Sequence, residues 1–309
     1  MDNLTHTLIG IGLARAGLSQ KFGRGTTVVL AVASNLPDID VGCLFGPSPL
    51  SFLWRRTFSH CLLGAAILVV MATFLFRRYY PNLSWPVVFG LTAFGVAGHI
   101  FCDLWNAYGV VLLWPFSWRR FSLDWIYIID LMIWGILVAS WALSRARPER
   151  TMRIWQTGLA VLAIYVAICA WCSHTTFDLA RTQSRSAAPI YVYPEPLGPQ
   201  RFRAVVAETN VYEHYLAHPF ERKIVLLGNI APEGTTPVVS AARKTEAARR
   251  LDEFFSTSVW RDSPDHKAAD VYGLEFRSSV LNRGVPFSFR VTPEGRVSHE
   301  RLVAPVAAD

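Results

Sequence analysis

Trp85-Pro-Val-Val-Phe-Gly-Leu-Thr-Ala-Phe-Gly-Val-Ala-Gly-His99-Ile-Phe-Cys-Asp103 is the stretch on which the reading of this sequence turns. As far as Phe101 it approaches the roughly 20 apolar residues that a bilayer-spanning helix needs. It ends on a histidine and an aspartate four residues apart, a spacing that a helix places one turn apart on one face. Ionisable groups in such a segment are costly to keep in hydrocarbon and are functional candidates by default.

Three more apolar runs lie to either side, Cys61 to Phe76, Trp125 to Leu143 and Ile154 to Trp171. Two weaker ones precede them: Leu4 to Leu18, with Gly10, Gly12 and Gly17, and Thr26 to Asn35. The second stops at Leu36-Pro37-Asp38-Ile39-Asp40, where Pro37 disfavours helix at Leu36. Asp38 and Asp40 are therefore expected on a break or half-helix end lining a cavity.

Residues 1–175 are thus expected to form a helical transmembrane domain, and ten of the eleven Trp and all five Cys fall in it. The cysteines lack the paired C-x-x-C spacing of a zinc site and read as small buried residues. The net charge of +7 raises the question of nucleic acid, but the arginines cluster beside apolar segments, as membrane flanks do. No nucleic-acid partner is expected. The N-terminus lacks the basic region and cleavage site of a secretory signal and is expected to be retained.

Residues 176–199, with Pro189, Pro194, Pro196 and Pro199, read as an extended linker. Beyond it, Phe202 to Ala207, Lys223 to Leu227, Val271 to Phe276 and Phe287 to Val291 read as strands, and Thr245 to Phe255 as an amphipathic helix. The fold class is therefore mainly α, a multi-span helical membrane domain followed by a small soluble α+β domain over 200–309.

If successive spans alternate in direction, His60 starts one helix, His99 and Asp103 end the next, and Asp124 and Asp130 start the third, all at one face. His6, Asp38, Asp40, His60, His99 and Asp103 then form an oxygen and imidazole set suited to Zn²⁺ or Mn²⁺. The bland alternatives are a core histidine for His99, a helix-end polar group for Asp103, and a turn pair for Asp38 and Asp40. Asp130, inside a span, is an added metal ligand or an acceptor behind a ligating histidine. Arg55 and Arg56 read as interfacial anchors or as guanidiniums for a substrate phosphate. Trp114, Trp118 and Trp125 read as an aromatic belt. His174, His214, His218, His266 and His299 are given no role.

Met-Asp-Asn-Leu-Thr-His6, Leu-Pro-Asp38-Ile-Asp40, Arg56-Thr-Phe-Ser-His60, and His99-Ile-Phe-Cys-Asp103 followed by Asn106, Gly109 and Trp114-Pro115-Phe116 together resemble the YdjM-like inner-membrane metal-dependent hydrolases over about the first 150 residues. That family is in turn distantly similar to zinc-dependent phospholipase C and P1-type nucleases, helical enzymes with an H-x-x-x-D helix, an upstream Asp and another His. The likeness carries over to His99, Asp103, Asp38 or Asp40, and His60. Those relatives are soluble and have more histidines, around three zincs, so one or two ions are expected here. The resemblance implies a membrane-bound hydrolase in which His60, His99, Asp103 and Asp38 hold a divalent metal whose bound water attacks an ester or phosphoester of a lipid-like substrate. Asp40 is the expected general base or second-metal ligand, and Arg56 the stabiliser of phosphate charge. The rivals are a non-catalytic regulator or scaffold with a structural metal and a partner-binding C-terminal domain, and an ion transporter, the weaker because the polar residues do not form a path through the bilayer.

Arginines 77, 78, 145, 147, 150 and 153 lie at the other face from Arg55, Arg56, Arg119 and Arg120. The positive-inside bias then expects a multi-pass inner-membrane protein with its metal site and C-terminal domain extracytoplasmic.

Overall fold

The computed structural model describes residues 1–184, 187–279 and 287–299. Arg185 and Ser186 of the expected linker, and residues 280–286 and 300–309 of the C-terminal domain, lie outside them.

Two compact units account for the chain, Met1–Phe45 with Leu53–Ile168, and Gly46–Phe52 with Cys169–Asp309. In the first, α1 (Asn3–Leu13) passes through a π-helical turn (Ala14–Leu18) into α2 (Ser19–Phe22). α3 (Thr26–Ala33) runs on into a 3-10 segment (Leu36–Phe45), followed by α4 (Leu62–Tyr79), α5 (Trp85–Asp103), α6 (Leu131–Ala146) and α7 (Thr151–Gln183). Four stretches are long and apolar enough to cross a membrane: Thr26–Phe45, Leu62–Tyr79, Trp85–Asp103 and Pro148–Gln183.

Their surfaces show why. α4 exposes Leu63, Ile67, Met71, Phe74 and Leu75, and α5 exposes Phe89 and Phe94. A helix that is apolar on its exposed face as well as its packed face belongs in lipid. Contacts between such helices rely on small residues that let backbones approach. A Cβ at Gly95 would lie 2.6 Å from the Cβ of Ala33, so the absence of a side chain there lets α5 pack on α3.

Two boundaries differ from the sequence reading. The weak Thr26 piece becomes a full-length candidate because the 3-10 segment extends it past Pro37. The third expected span starts at Leu131, not Trp125, because Asp130 caps α6 by accepting from the backbone N–H groups of Met132 and Ile133, and this leaves α6 short.

In the second unit β1 (Ile190–Pro194), β2 (Phe202–Glu208), β3 (Val211–His218) and β4 (Lys223–Ile230) form an antiparallel meander, with a bulge at His214/Tyr215. A second antiparallel sheet holds β5 (Ser258–Asp262), β6 (Ala269–Gly273), β7 (Ser288–Val291) and β8 (Val297–His299). α8 (Pro237–Arg243) and α9 (Glu246–Phe254) precede it, the latter capped by Thr245 Oγ1 on the Ala248 N–H. Phe52 stacks on Phe289 (4.8 Å between centroids) and meets Phe254 edge-on (4.9 Å), which ties Gly46–Phe52 to this unit.

The expected extended linker is corrected here. α7 continues to Gln183, and the chain enters β1 at Ile190. The prolines bound the strand or end it; meanwhile Cys172 packs with Val192 and Phe202, and Ala180 with Ala204 and Val206, so the last turns of α7 have an apolar sheet to cover.

His214 on β3 is buried with its Nε2 unbonded, and burial, aided by Arg203 and Arg277, pushes its pKa from 6.5 down to about 3. Below 6.5 the unfolded chain takes up a proton that the native imidazole refuses, so acid favours unfolding down to about pH 3. The slope is at most ~1.4 kcal/mol per pH unit. A His214→Gln variant should show a correspondingly flatter loss of unfolding midpoint over that window; identical slopes for the two proteins would show that folding leaves the proton uptake of His214 unchanged.

Candidate metal centre

Four chain segments end at one place: the start of α1, the 3-10 turn after α3, the loop before α4, and the last turns of α5. Asp38, His60, His99 and Asp103 meet there, all buried, each offering an atom within 4.8 Å of the others. Asp103 Oδ2 lies 3.3 Å from His60 Nε2 and 3.4 Å from His99 Nε2, and Asp38 Oδ1 is 4.0 and 3.9 Å from the same two nitrogens.

Hydrogen bonds behind the rings fix their protons. His99 Nδ1 donates to the Ser34 carbonyl at 2.7 Å, because a carbonyl can only accept. His60 Nδ1 lies 3.0 Å from Ser59 Oγ, whose own proton goes to Asp40 Oδ2, and 3.2 Å from that carboxylate oxygen, so the proton sits on that nitrogen too. Both Nε2 atoms are then bare lone pairs, 3.1 Å apart. Two acceptors at that distance repel unless a positive charge lies between them: a proton on one ring or, with two carboxylates at hand, a metal ion.

The remaining atoms fit the ion. Asp103 Oδ2 and Asp38 Oδ2 are buried and make no hydrogen bond, a cost that structures rarely carry without reason. Two imidazoles and two carboxylates, with no thiolate, make a donor set for Zn²⁺ or Mn²⁺.

A ring of cations balances the carboxylates. Arg56 donates to Asp103 Oδ1 (2.8 Å) and Asn106 Oδ1 (3.0 Å), lies 5.0 Å from the centre of the Tyr108 ring, and gives its backbone N–H to Asp40 (2.7 Å) from a left-handed φ of 56°. The Met1 amino group also bonds Asp103, while burial lowers its pKa below the ordinary amino value. Arg55 bridges Asp38 Oδ1 (2.8 Å) and Asp40 Oδ1. Burial works against its charge, but the two carboxylates outweigh it and hold its pKa above the ordinary arginine value. Arg120, donating to the carbonyls of Leu53 and Arg55, is pushed by burial down to about 10 and stays charged at neutral pH.

The other candidates fall around this group. Asp40 accepts from Ser59 Oγ, the Arg56 N–H and Arg55, and faces the far side of His60. His6 stacks on His99 (3.8 Å between centroids), its Nε2 3.3 Å from Asp103 Oδ1, at the edge of the cluster. Asp130 stands outside it: besides capping α6, it accepts from the Tyr165 hydroxyl at 2.7 Å. Arg55 and Arg56 both turn inward, so the anchor reading gives way. Ser34, which acts through its carbonyl, carries no sequence signal because every residue has one; Ser59 is signalled only by adjoining His60.

Asp40→Asn keeps the shape but removes the charge that holds the His60 proton. Metal affinity should fall about 10–100-fold without being abolished, as read by competition with a chromogenic chelator; an unchanged affinity would place Asp40 outside the centre.

Helices fit for a bilayer, with a buried carboxylate and imidazole cluster at their ends, define a membrane protein with a candidate metal centre. The YdjM inner membrane protein family model matches residues 1–177, and the chain belongs to that family. It is also 22% identical over 293 residues to the protein YfhP of Bacillus subtilis (strain 168), named as uncharacterized, covering 90% of this chain and 88% of that one. That likeness therefore extends into the C-terminal unit, beyond the family match. No solved structure matches.

Proposed function

We propose that this is a membrane-bound metal-dependent hydrolase acting on an ester or phosphoester of a lipid-like substrate. The observation that carries it is the opposed pair of bare imidazole nitrogens of His60 and His99, with an unbonded Asp103 oxygen beside them. Zn²⁺ is the first candidate and Mn²⁺ the second, and four donors within 4.8 Å suit one ion. Such an ion, when bound, acidifies water and draws charge from a carbonyl or phosphoryl oxygen.

The chain's own residues set the conditions. Asp40 and the Ser34 carbonyl hold the two ring tautomers, and Arg56 holds Asp103. These bonds make Asp40 and Arg56 positioning residues. Arg55, at the more open edge of the ring, is the guanidinium free to exchange a carboxylate for a substrate phosphate. A lipid substrate suits the surroundings, since the segment bearing Asp38 and Asp40 exposes Ile39, Leu44 and Phe45.

One observation favours a second reading. Four buried protein donors also complete a closed tetrahedral site, the mark of a structural metal. Cobalt-loaded protein separates the two: added phosphate should shift its visible spectrum, and the zinc or manganese form should turn over a phosphoester lipid in detergent micelles. An unmoved spectrum together with no turnover sinks the hydrolase and leaves the structural metal.

A further inference from the structure

A second site lies away from the cluster, between α6 and α7. The two helices are joined by a single 3-10 turn, Pro148–Arg150. They touch closely where Gly158 faces Ser140, whose hydroxyl is turned back onto the Ile136 carbonyl. Beside that contact is a cleft of about 670 Å³. Its walls include Leu143, Ile154 and Val161, and Arg147, Arg150 and Arg153 gather at its end.

The charge there is uncompensated. Glu149 is the acidic residue at this turn, 3.9 Å from Arg150, and both side chains are mostly exposed, so their pairing is weak. Among the described residues, no hydrogen bond or ion pair engages the guanidinium of Arg147 or Arg153. Around the cleft the helix surfaces are apolar and exposed at Val138, Leu143, Val161 and Ile164.

We propose that this cleft binds an anionic phospholipid, its acyl chain along the apolar walls and its phosphate on the three arginines. Guanidiniums pair with phosphate oxygens in bidentate fashion, and basic pockets between membrane helices suit acidic headgroups. A free phosphate satisfies the arginines but leaves the walls uncovered. A zwitterionic headgroup brings a cation of its own to the same place.

The test uses the full chain in neutral detergent and follows its melting temperature with phosphatidylglycerol, with phosphatidylcholine of the same chains, and with inorganic phosphate. Phosphatidylglycerol alone should raise it. The Arg147→Gln, Arg150→Gln, Arg153→Gln triple variant should lose that rise while its metal content is unchanged, and the matching lysine variant should keep part of it. Single glutamine variants should each weaken apparent lipid affinity about fivefold, which keeps the test available if the triple variant does not fold. Equal stabilisation by phosphatidylcholine, a full rise with phosphate alone, or a rise that survives loss of the arginines overturns the proposal.

Discussion

The His99→Ala, Asp103→Ala double variant is expected to purify without divalent metal where the wild type carries close to one ion per chain. Two of the four donors vanish together, so affinity should fall by much more than the roughly 10–100-fold typical of a group behind a ligand. Elemental mass spectrometry on detergent-purified protein reads this directly. Helix content by circular dichroism should be retained, since both residues sit at the end of α5 and the close Gly95–Ala33 packing against α3 is untouched, His99 giving up only its bond to the Ser34 carbonyl. Asp103→Asn is the harsher test of folding, because it leaves the guanidinium of Arg56 buried beside a neutral amide. Equal metal in wild type and double variant would reduce the cluster to polar packing and bring the partner-binding reading to the front.

Arg203→Met should be the most damaging single change in the C-terminal unit. Arg203 on β2 and Glu195 are fully buried and paired at 2.5 Å, and Arg203 also donates to the Leu274 carbonyl at 2.7 Å. Glu195 in turn accepts from Ser278 Oγ and the Ser279 N–H. Removing one partner strands the other charge, at about 3–5 kcal/mol, a large part of the ~5–15 kcal/mol that holds a domain. Hydrogen exchange across β1 to β3 should accelerate by at least two orders of magnitude, with the amides of α4 and α5 unaffected. Adding Glu195→Leu should recover part of the loss; a single variant that exchanges like wild type would mean the pair contributes nothing net.

What the sequence made legible was whatever rests on local spacing. His99 and Asp103, four apart on an apolar helix, were readable because the helix itself brings them together. Pro37 signalled that Asp38 and Asp40 leave the α3 helix, and alternating spans put His60 at the same end. What stayed hidden depends on partners distant in the chain. Asp38 and Asp40 look equivalent in Pro-Asp-Ile-Asp, yet one faces the cluster and the other backs onto His60, a division set by how the 3-10 turn meets the loop before α4. Asp130 looked like a ligand because it seemed to lie within a span, but its carboxylate ends the loop and caps the helix. The linker reading failed for a related reason: prolines disfavour helix only at and just before themselves, and α7 stops short of Pro189 on apolar contacts that composition does not show. β3 and β5 were missed because their exposed and buried positions do not alternate cleanly.

The dispersal of the four donors over three stretches of chain bears on how the protein is made. Asp38 emerges from synthesis well before Asp103, and none of the three stretches can hold an ion firmly alone. The pocket comes into being only after α3, α4 and α5 have been inserted and have closed on one another through contacts such as Gly95 on Ala33. Any ion then enters only after α5 has joined α3 and α4, and a chain halted or cut before α5 lacks the full donor set, so ion content would report on the assembly of these three helices.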